Sequence, residues 1–404
     1  MFRRHSLVGE IHTATHGFMT EWTVSGDAEG RTITLPLVAG YNYDCVIDWG
    51  DGSAKNVVTA YDDVNRIHTY SVAGKYKVEI TGTCEGWSFN NAGDKLKITN
   101  ILYWGNPLKF NDFKYLTGGF YGCTALKSLG RGSILFSGSG GFYETFRNCI
   151  SVTSVPVDLF KYNTLVSTDG FRRTFYGCSS LASLPDGLFR YNTAVSTNGF
   201  RETFRGCSSL ASLPVDLFRY NTLVSTEGFR ATFSGCSSLD SLPVDLFRYN
   251  TAVSANGFAY TFYGCSSLAS LPVDLFRYNT LVSTNGFYQT FYSCSSLASI
   301  PVDLFRYNTL VSTDGFYQTF YGCAKLQLHK WIFYSTGEEG TRFLNKTLSF
   351  AECFSLTSFT GTIGEAPELW NCDFGTGSPT KTDCFNGHSI NSVSNYADIP
   401  AEWL

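Results

Sequence analysis

FRRTFYGCSSLASLPDGLFRYNTAVSTNG, residues Phe171 to Gly199, recurs almost verbatim along the chain. Its cysteine returns at Cys149, Cys178, Cys207, Cys236, Cys265, Cys294 and Cys323, each 29 residues after the last, and looser copies flank the array at Cys123 and Cys353. A period of this size predicts a solenoid in which each unit stacks only on its neighbours. Such an array offers extended surface, and it makes catalysis an unexpected purpose.

Within one unit, Phe171, Phe175 and Cys178 stand at i, i+4 and i+7, the spacing of one α-helical face. Thr197 or Asn198 supplies the N-cap of the next copy, and Gly177 lets the helix stop. Ser179–Pro185 predicts a short strand that Pro closes because it has no donor for a ladder. Pro185 then opens a helical turn carrying Leu188 and Phe189 into the core. Nine stacked rungs of this kind predict a parallel sheet about 40 Å long. The expected fold class is therefore mixed: an N-terminal β-sandwich followed by an α/β solenoid with 29-residue rungs.

The predicted organisation is an N-terminal arm (1–18), a β-sandwich (19–95), the solenoid (96–360, with 96–118 as its N-terminal cap) and a C-terminal cap (361–404). The sandwich reading rests on short alternating runs broken by turn residues, with Tyr76, Val78 and Ile80 as one buried face. Trp49-Gly50-Asp51-Gly52-Ser53 predicts a tight turn, Asp51-Gly52 supplying the residues that tolerate positive φ. Nine of the thirteen cysteines, Cys123 to Cys353, are assigned to one column of the repeat. Column neighbours point in parallel, which suits buried free thiols better than bridges. Cys45 with Cys84, and Cys372 with Cys384, are left as open pairings.

The segment 20–95, with WGDGS followed by His68-Thr69-Tyr70 and Gly74-Lys75-Tyr76, resembles over roughly 60 residues the immunoglobulin-like domains of the polycystic-kidney-disease type. The register F-x-x-C-x-x-L-x-x-[LI]-P, as at Phe175, Cys178, Leu181, Leu184 and Pro185, resembles the leucine-rich repeats of BspA-type surface proteins. Together these resemblances imply a secreted, cell-surface or virion-borne binding protein, of bacterial or phage origin. Met1–Trp22 holds no apolar run of signal-peptide length, so the export route stays open, and with it the place of residues 1–18.

A net charge of −4 gives no reason to expect nucleic acid as a partner, and no apolar stretch is long enough for membrane insertion. No phosphate loop, nucleophile elbow or metal-spaced Cys/His set is present in the sequence. His5, His12 and His16 suit an unstructured arm better than a metal site. Asp48, Asp51, Asp62 and Asp63 suit turns better than Ca²⁺. No cofactor and no metal are expected. Glu144 and Glu202, with no sign of burial, are too poor a pair for glycoside hydrolysis. The Asn column from Asn163 to Asn308 reads as a structural ladder.

Variation between the repeats concentrates in three columns, read as facing outward from the convex, helix-bearing side. They run Tyr143, Arg172, Arg201, Arg230, Ala259, Tyr288, Tyr317; then Glu144, Arg173, Glu202, Ala231, Tyr260, Gln289, Gln318; then Arg147, Tyr176, Arg205, Ser234, Tyr263, Tyr292, Tyr321. Fourteen of these 21 positions are Tyr or Arg, the side chains favoured at binding hot spots. Those fourteen are the candidate ligand-binding residues, for a surface glycan or protein receptor. Arg dominates the early rungs and Tyr the later ones, which fits an acidic partner region followed by a neutral one. The alternative is a structural spacer or assembly element, self-associating or attached to a larger assembly.

Overall fold

The computed structural model describes residues 16–138, 141–355, 364–386 and 393–404. Its first part is a six-stranded sheet, ordered β4-β3-β6-β1-β7-β8, with a two-stranded sheet β2-β5 beside it. The strands are β1 Phe18–Val24, β2 Thr32–Thr34, β3 Tyr43–Asp48, β4 Asn56–Val58, β5 Ile67–Thr69, β6 Gly74–Cys84, β7 Ile98–Trp104 and β8 Ser128–Arg131. Strict alternation explains β1: Phe18, Thr20, Trp22 and Val24 are buried and the residues between them are not. Val78 and Ile80 of β6 share the core with them, and Tyr76 lies half-buried on the same face. In the Trp49–Ser53 turn the positive φ falls on Gly50 and Gly52, with Asp51 between them. Burial pushes the Asp51 carboxyl up, but hydrogen bonds from Ser53 and the His68 ring hold it down at about 2. Asp48 pairs with Lys55, and Asp63 caps the short 3-10 turn Val64–Arg66. His16 pairs with Glu79; His5 and His12 lie outside the described residues.

The sheet runs directly into the array. β7 pairs antiparallel with β1 and parallel with β8, which lies in the first loose copy of the repeat. From there a column of phenylalanines carries the core forward. Phe120, Phe146, Phe175, Phe204 and Phe233 stack face to face at 5.5–5.8 Å. A second column (Phe171, Phe200, Phe229) and a third (Phe189, Phe218, Phe247) run beside it. All are fully buried, so truncating one to Ala costs about 3–5 kcal/mol. At the far end the first column closes on Phe354, Phe385 and the buried Trp403.

The α/β leucine-rich-repeat solenoid expected from the sequence is not the fold. Among the described residues no α-helix forms, and the only helical elements are 3-10 turns such as Leu369–Asn371 and Ala401–Trp403. Residues 169–178 instead form overlapping turns. The amides of Gly170, Arg172, Thr174, Tyr176 and Cys178 donate three residues back within the rung, the geometry of β-turns. The amides between them, from Asp169, Phe171, Arg173, Phe175 and Gly177, donate to the next rung at Thr197, Gly199, Arg201, Thr203 and Arg205. Every amide in the segment is satisfied, half of them across the rung boundary. Asp169, Arg173 and Gly177 adopt positive φ (53°, 56° and 71°), so the conformation repeats every four residues. That period places Phe171 and Phe175 on the core as a helix would, which is why the spacing imitates one.

The expected strand is also reduced. Ser179–Pro185 contributes isolated parallel bridges, such as Ser154 with Ser183 and Ser270 with Ser299, and not a continuous sheet. The continuous inter-rung ladder runs through the segment read as helix. Three buried side chains reinforce it by donating to carbonyls of the preceding rung. Thr174 Oγ1 reaches Phe142 O at 2.9 Å, Cys178 Sγ reaches Phe146 O at 3.1 Å, and Asn192 Nδ2 reaches Phe160 O and Asn163 O at 3.1 and 2.9 Å.

All thirteen cysteines are free and buried. Cys353 departs from the column assigned to it. Phe354 stacks on Phe320 at 5.5 Å, and the Phe320 amide donates to Cys353 O, so Cys353 occupies the threonine column. Cys384 follows it there, beside Phe385, which stacks on Phe354.

Candidate recognition strip

The three variable columns lie along the inter-rung ladder, and their residues form a strip that is half-buried by its own mutual packing. It is a strip of turns, not the helix-bearing face expected. Its second column is held at positive φ in every rung, from Glu144 (55°) through Arg173, Glu202, Ala231, Tyr260 and Gln289 to Gln318 (48°).

In the early rungs the charges partner one another. Arg173 Nε donates to Glu202 at 2.9 Å, and its Nη1 to Glu144 at 3.3 Å. Arg147 pairs with Glu144 at 2.6 Å, Arg172 with Asp169 at 3.3 Å, and Arg201 with Glu227. Arg230 meets Glu227 at 3.3 Å, whereas Arg205 stands 3.7 Å from Glu202. Six guanidinium groups thus face four carboxylates, so the early rungs carry only a small positive excess. Glu144 and Glu202 are 8% and 5% exposed, contrary to the sequence expectation. Burial pushes the Glu202 carboxyl up, but the hydrogen bond and charge of Arg173, with Arg205 and Arg201 adding to it, hold it below its usual value.

In the later rungs the strip is uncharged and aromatic. Tyr263, Tyr292 and Tyr321 stack at 4.7 and 4.8 Å with planes within 8° of parallel. Tyr288 and Tyr317 stack at 4.9 Å. Burial, with the neighbouring phenols Tyr260 and Tyr317, pushes Tyr288 up to about 12.

Between the two regimes lies a depression of about 420 Å³. Ala231 and Ser234, 3% and 6% exposed, form its floor. Glu202, Arg205 and Arg230 wall one side, and Tyr260, Tyr263 and Gln289 the other. Of the fourteen candidate residues the structure therefore brings Arg205, Arg230, Tyr260 and Tyr263 to one opening. Tyr143, Arg147, Arg172, Arg173, Tyr176 and Arg201 continue the strip towards the N-terminus, and Tyr288, Tyr292, Tyr317 and Tyr321 continue it the other way.

Sequence reasoning passed over the acidic partners and the two small residues of the floor. The signal for the first was present: Glu144, Arg173 and Glu202 alternate in sign down one column, the mark of a stacked ion-pair ladder. Compared with known proteins, the chain matches no protein-family model and no curated sequence.

Proposed function

We propose that this chain is a non-enzymatic recognition protein that engages a surface glycan or protein receptor through the Tyr/Arg strip. What carries the reading is the coincidence of variation and shape. The columns that differ between otherwise near-identical repeats are the ones that line the depression at Ala231 and Ser234. The opening is lined chiefly by polar groups, Glu202, Arg205, Arg230, Ser234 and Gln289, beside the rings of Tyr260 and Tyr263, a lining that suits a ligand with both hydrogen-bonding and flat faces. The two carboxylates nearest to a hydrolase pair, Glu144 and Glu202, are bound to Arg173 and so stand as structural charges. The resemblance to surface proteins supports display on a bacterial surface or a phage particle.

The test is a glycan-array and cell-binding screen of the full chain, beside a variant with Tyr263, Tyr288, Tyr292, Tyr317 and Tyr321 changed to Ala. Loss of binding in a still-folded variant supports the strip as the site. Binding left intact moves recognition elsewhere on the molecule. No binding by either protein favours the spacer or assembly element.

A further inference from the structure

The third column of the strip is a stack of flat groups with one member missing. It runs Tyr121, Arg147, Tyr176, Arg205, Ser234, Tyr263, Tyr292, Tyr321. Arg147 lies over Tyr121 at 4.7 Å and over Tyr176 at 4.9 Å, and Arg205 lies over Tyr176 at 5.6 Å. Past the break, the tyrosine stack resumes at Tyr263. At Ser234 no plate is present: Arg205 ends one run of the stack, Tyr263 begins the other, and both line the depression. The Ser234 side chain beneath them is more than nine-tenths buried and lines the opening.

An adjacent column shows what fills such a break. There Ala259 interrupts the series Arg230, Ala259, Tyr288, and the ring of Tyr260 occupies the space. It sits under Arg230 at 5.6 Å and against Tyr288 at 5.2 Å. The arrangement guanidinium, phenol, phenol is what an incoming phenol would complete between Arg205 and Tyr263. From Arg219 to Tyr307 the second exposed ladder has no such break: Arg219, Arg248 and Arg277 lie over Tyr249, Tyr278 and Tyr307 at 4.9–5.2 Å.

We infer that the break at Ser234 is a socket for a tyrosine side chain carried by a protein partner. Both walls need a π face, one for the cation and one for the ring. A pyranose presents C–H groups to both, which satisfies the phenol and not the guanidinium. Glu202, Gln289 and the Ser234 hydroxyl line the same opening and offer hydrogen bonds to a phenolic hydroxyl. The socket is shallow, so a free ring gains little, and a ring fixed to a surface that also covers Tyr292 and Tyr321 gains more. The inference rests on the recognition reading and narrows its partner class.

The test titrates the full chain with N-acetyl-tyrosinamide, N-acetyl-alaninamide and methyl α-glucopyranoside, followed by saturation-transfer NMR. Ser234→Tyr completes the stack from within, using the residue already accepted at this column in later rungs. The expected result is transfer to the tyrosine ring protons alone, abolished in Ser234→Tyr and weakened about fivefold in Tyr263→Ala, the worth of one stacking wall. Unchanged circular dichroism and melting temperature show that both variants remain folded. Transfer that survives Ser234→Tyr, or goes to the glucoside instead, overturns the socket. If the cell-binding screen finds a partner whose binding Ser234→Tyr leaves intact, the socket fails and the recognition reading stands. If the tyrosine probe binds at Ser234 and the screen finds no surface partner, the ring-binding socket stands, its protein partner is one of assembly, and the surface-recognition reading fails.

Discussion

Two alanines in the variable strip give opposite answers to one substitution, and the contrast tests the turn ladder itself. Ala231 is held at φ 54°, whereas Ala259 is absent from the positive-φ residues. Both are buried, at 3% and 1% exposure, and the amide of Ala231 donates to Ala259 O at 2.8 Å. Replacing either by Gly removes a buried methyl, worth about 0.8 kcal/mol. It also adds freedom to the unfolded chain, worth about 0.5–1 kcal/mol. At Ala231 alone the change relieves a left-handed alanine, which regains about 1–2 kcal/mol. Ala231→Gly should therefore sit within about 0.5 kcal/mol of the parent, and Ala259→Gly should lose about 1.5 kcal/mol. In an α-helix both would lose alike, since Gly is the poorer helix former at every interior position. The measurement is the urea midpoint of each variant at matched slope, followed by far-UV circular dichroism. Equal losses at the two sites would refute the turn ladder and restore the helix.

Three further outcomes follow from the core and the charge ladder. Burial pushes the Cys178 thiol up to about 12 and raises its column neighbours likewise. At pH 8 only about one such thiol in ten thousand is ionised, so native protein should react negligibly with a thiol reagent. In urea without reductant all thirteen should titrate, and a smaller number would mean bridges. Asn250→Ala removes the bonds to Phe218 O and Asn221 O, both buried. It should cost about 2–3 kcal/mol in a urea melt, and a neutral result would remove the asparagine ladder from the account of stability. Glu202 has its pKa lowered by folding, so its contribution is present above the unfolded value near 4.5 and is lost as pH falls through the lower folded value. Glu202→Gln should therefore be less stable than the parent at pH 7, with the gap closing as pH falls from 4.5 through the lowered folded value; a gap independent of pH would mean that packing, not charge, is responsible.

Much of the architecture was legible in the sequence, and the conformation of the rung was not. The 29-residue period fixes which residues stack on which, and the phenylalanine columns follow from it. Period alone does not say how each rung is drawn. A turn motif repeating every four residues and a helix of 3.6 both bury i and i+4, and over the short span from Phe171 to Cys178 they cannot be told apart by spacing. A discriminating hint lay in composition: positions 169, 173 and 177, four apart, hold Asp, Arg and Gly here and Asn, Glu and Gly one rung later. None is β-branched, as left-handed backbone requires. Cys353 was misplaced because AECF was aligned on its cysteine, whereas the stacking of Phe354 on Phe320 aligns it on its phenylalanine.

The turn ladder also explains why the variable residues stand where they do. Its backbone is satisfied by the neighbouring rungs, and the reinforcing side-chain bonds come from Thr174, Cys178 and Asn192 and their equivalents. The side chains of the three outer columns bond one another across rungs instead, as Arg173 does with Glu144 and Glu202. The second column is limited by its positive φ, which excludes β-branched residues and has admitted Glu, Arg, Ala, Tyr and Gln. The third has no such limit in the rungs around Ser234, so ring, guanidinium or hydroxyl can be exchanged there without redrawing the rung. An array built in this way can change its variable strip one rung at a time while the core beneath stays constant. The Arg-to-Tyr gradient and the unfilled break in its third column at Ser234 are then the part of this chain in which selection for a partner is to be sought.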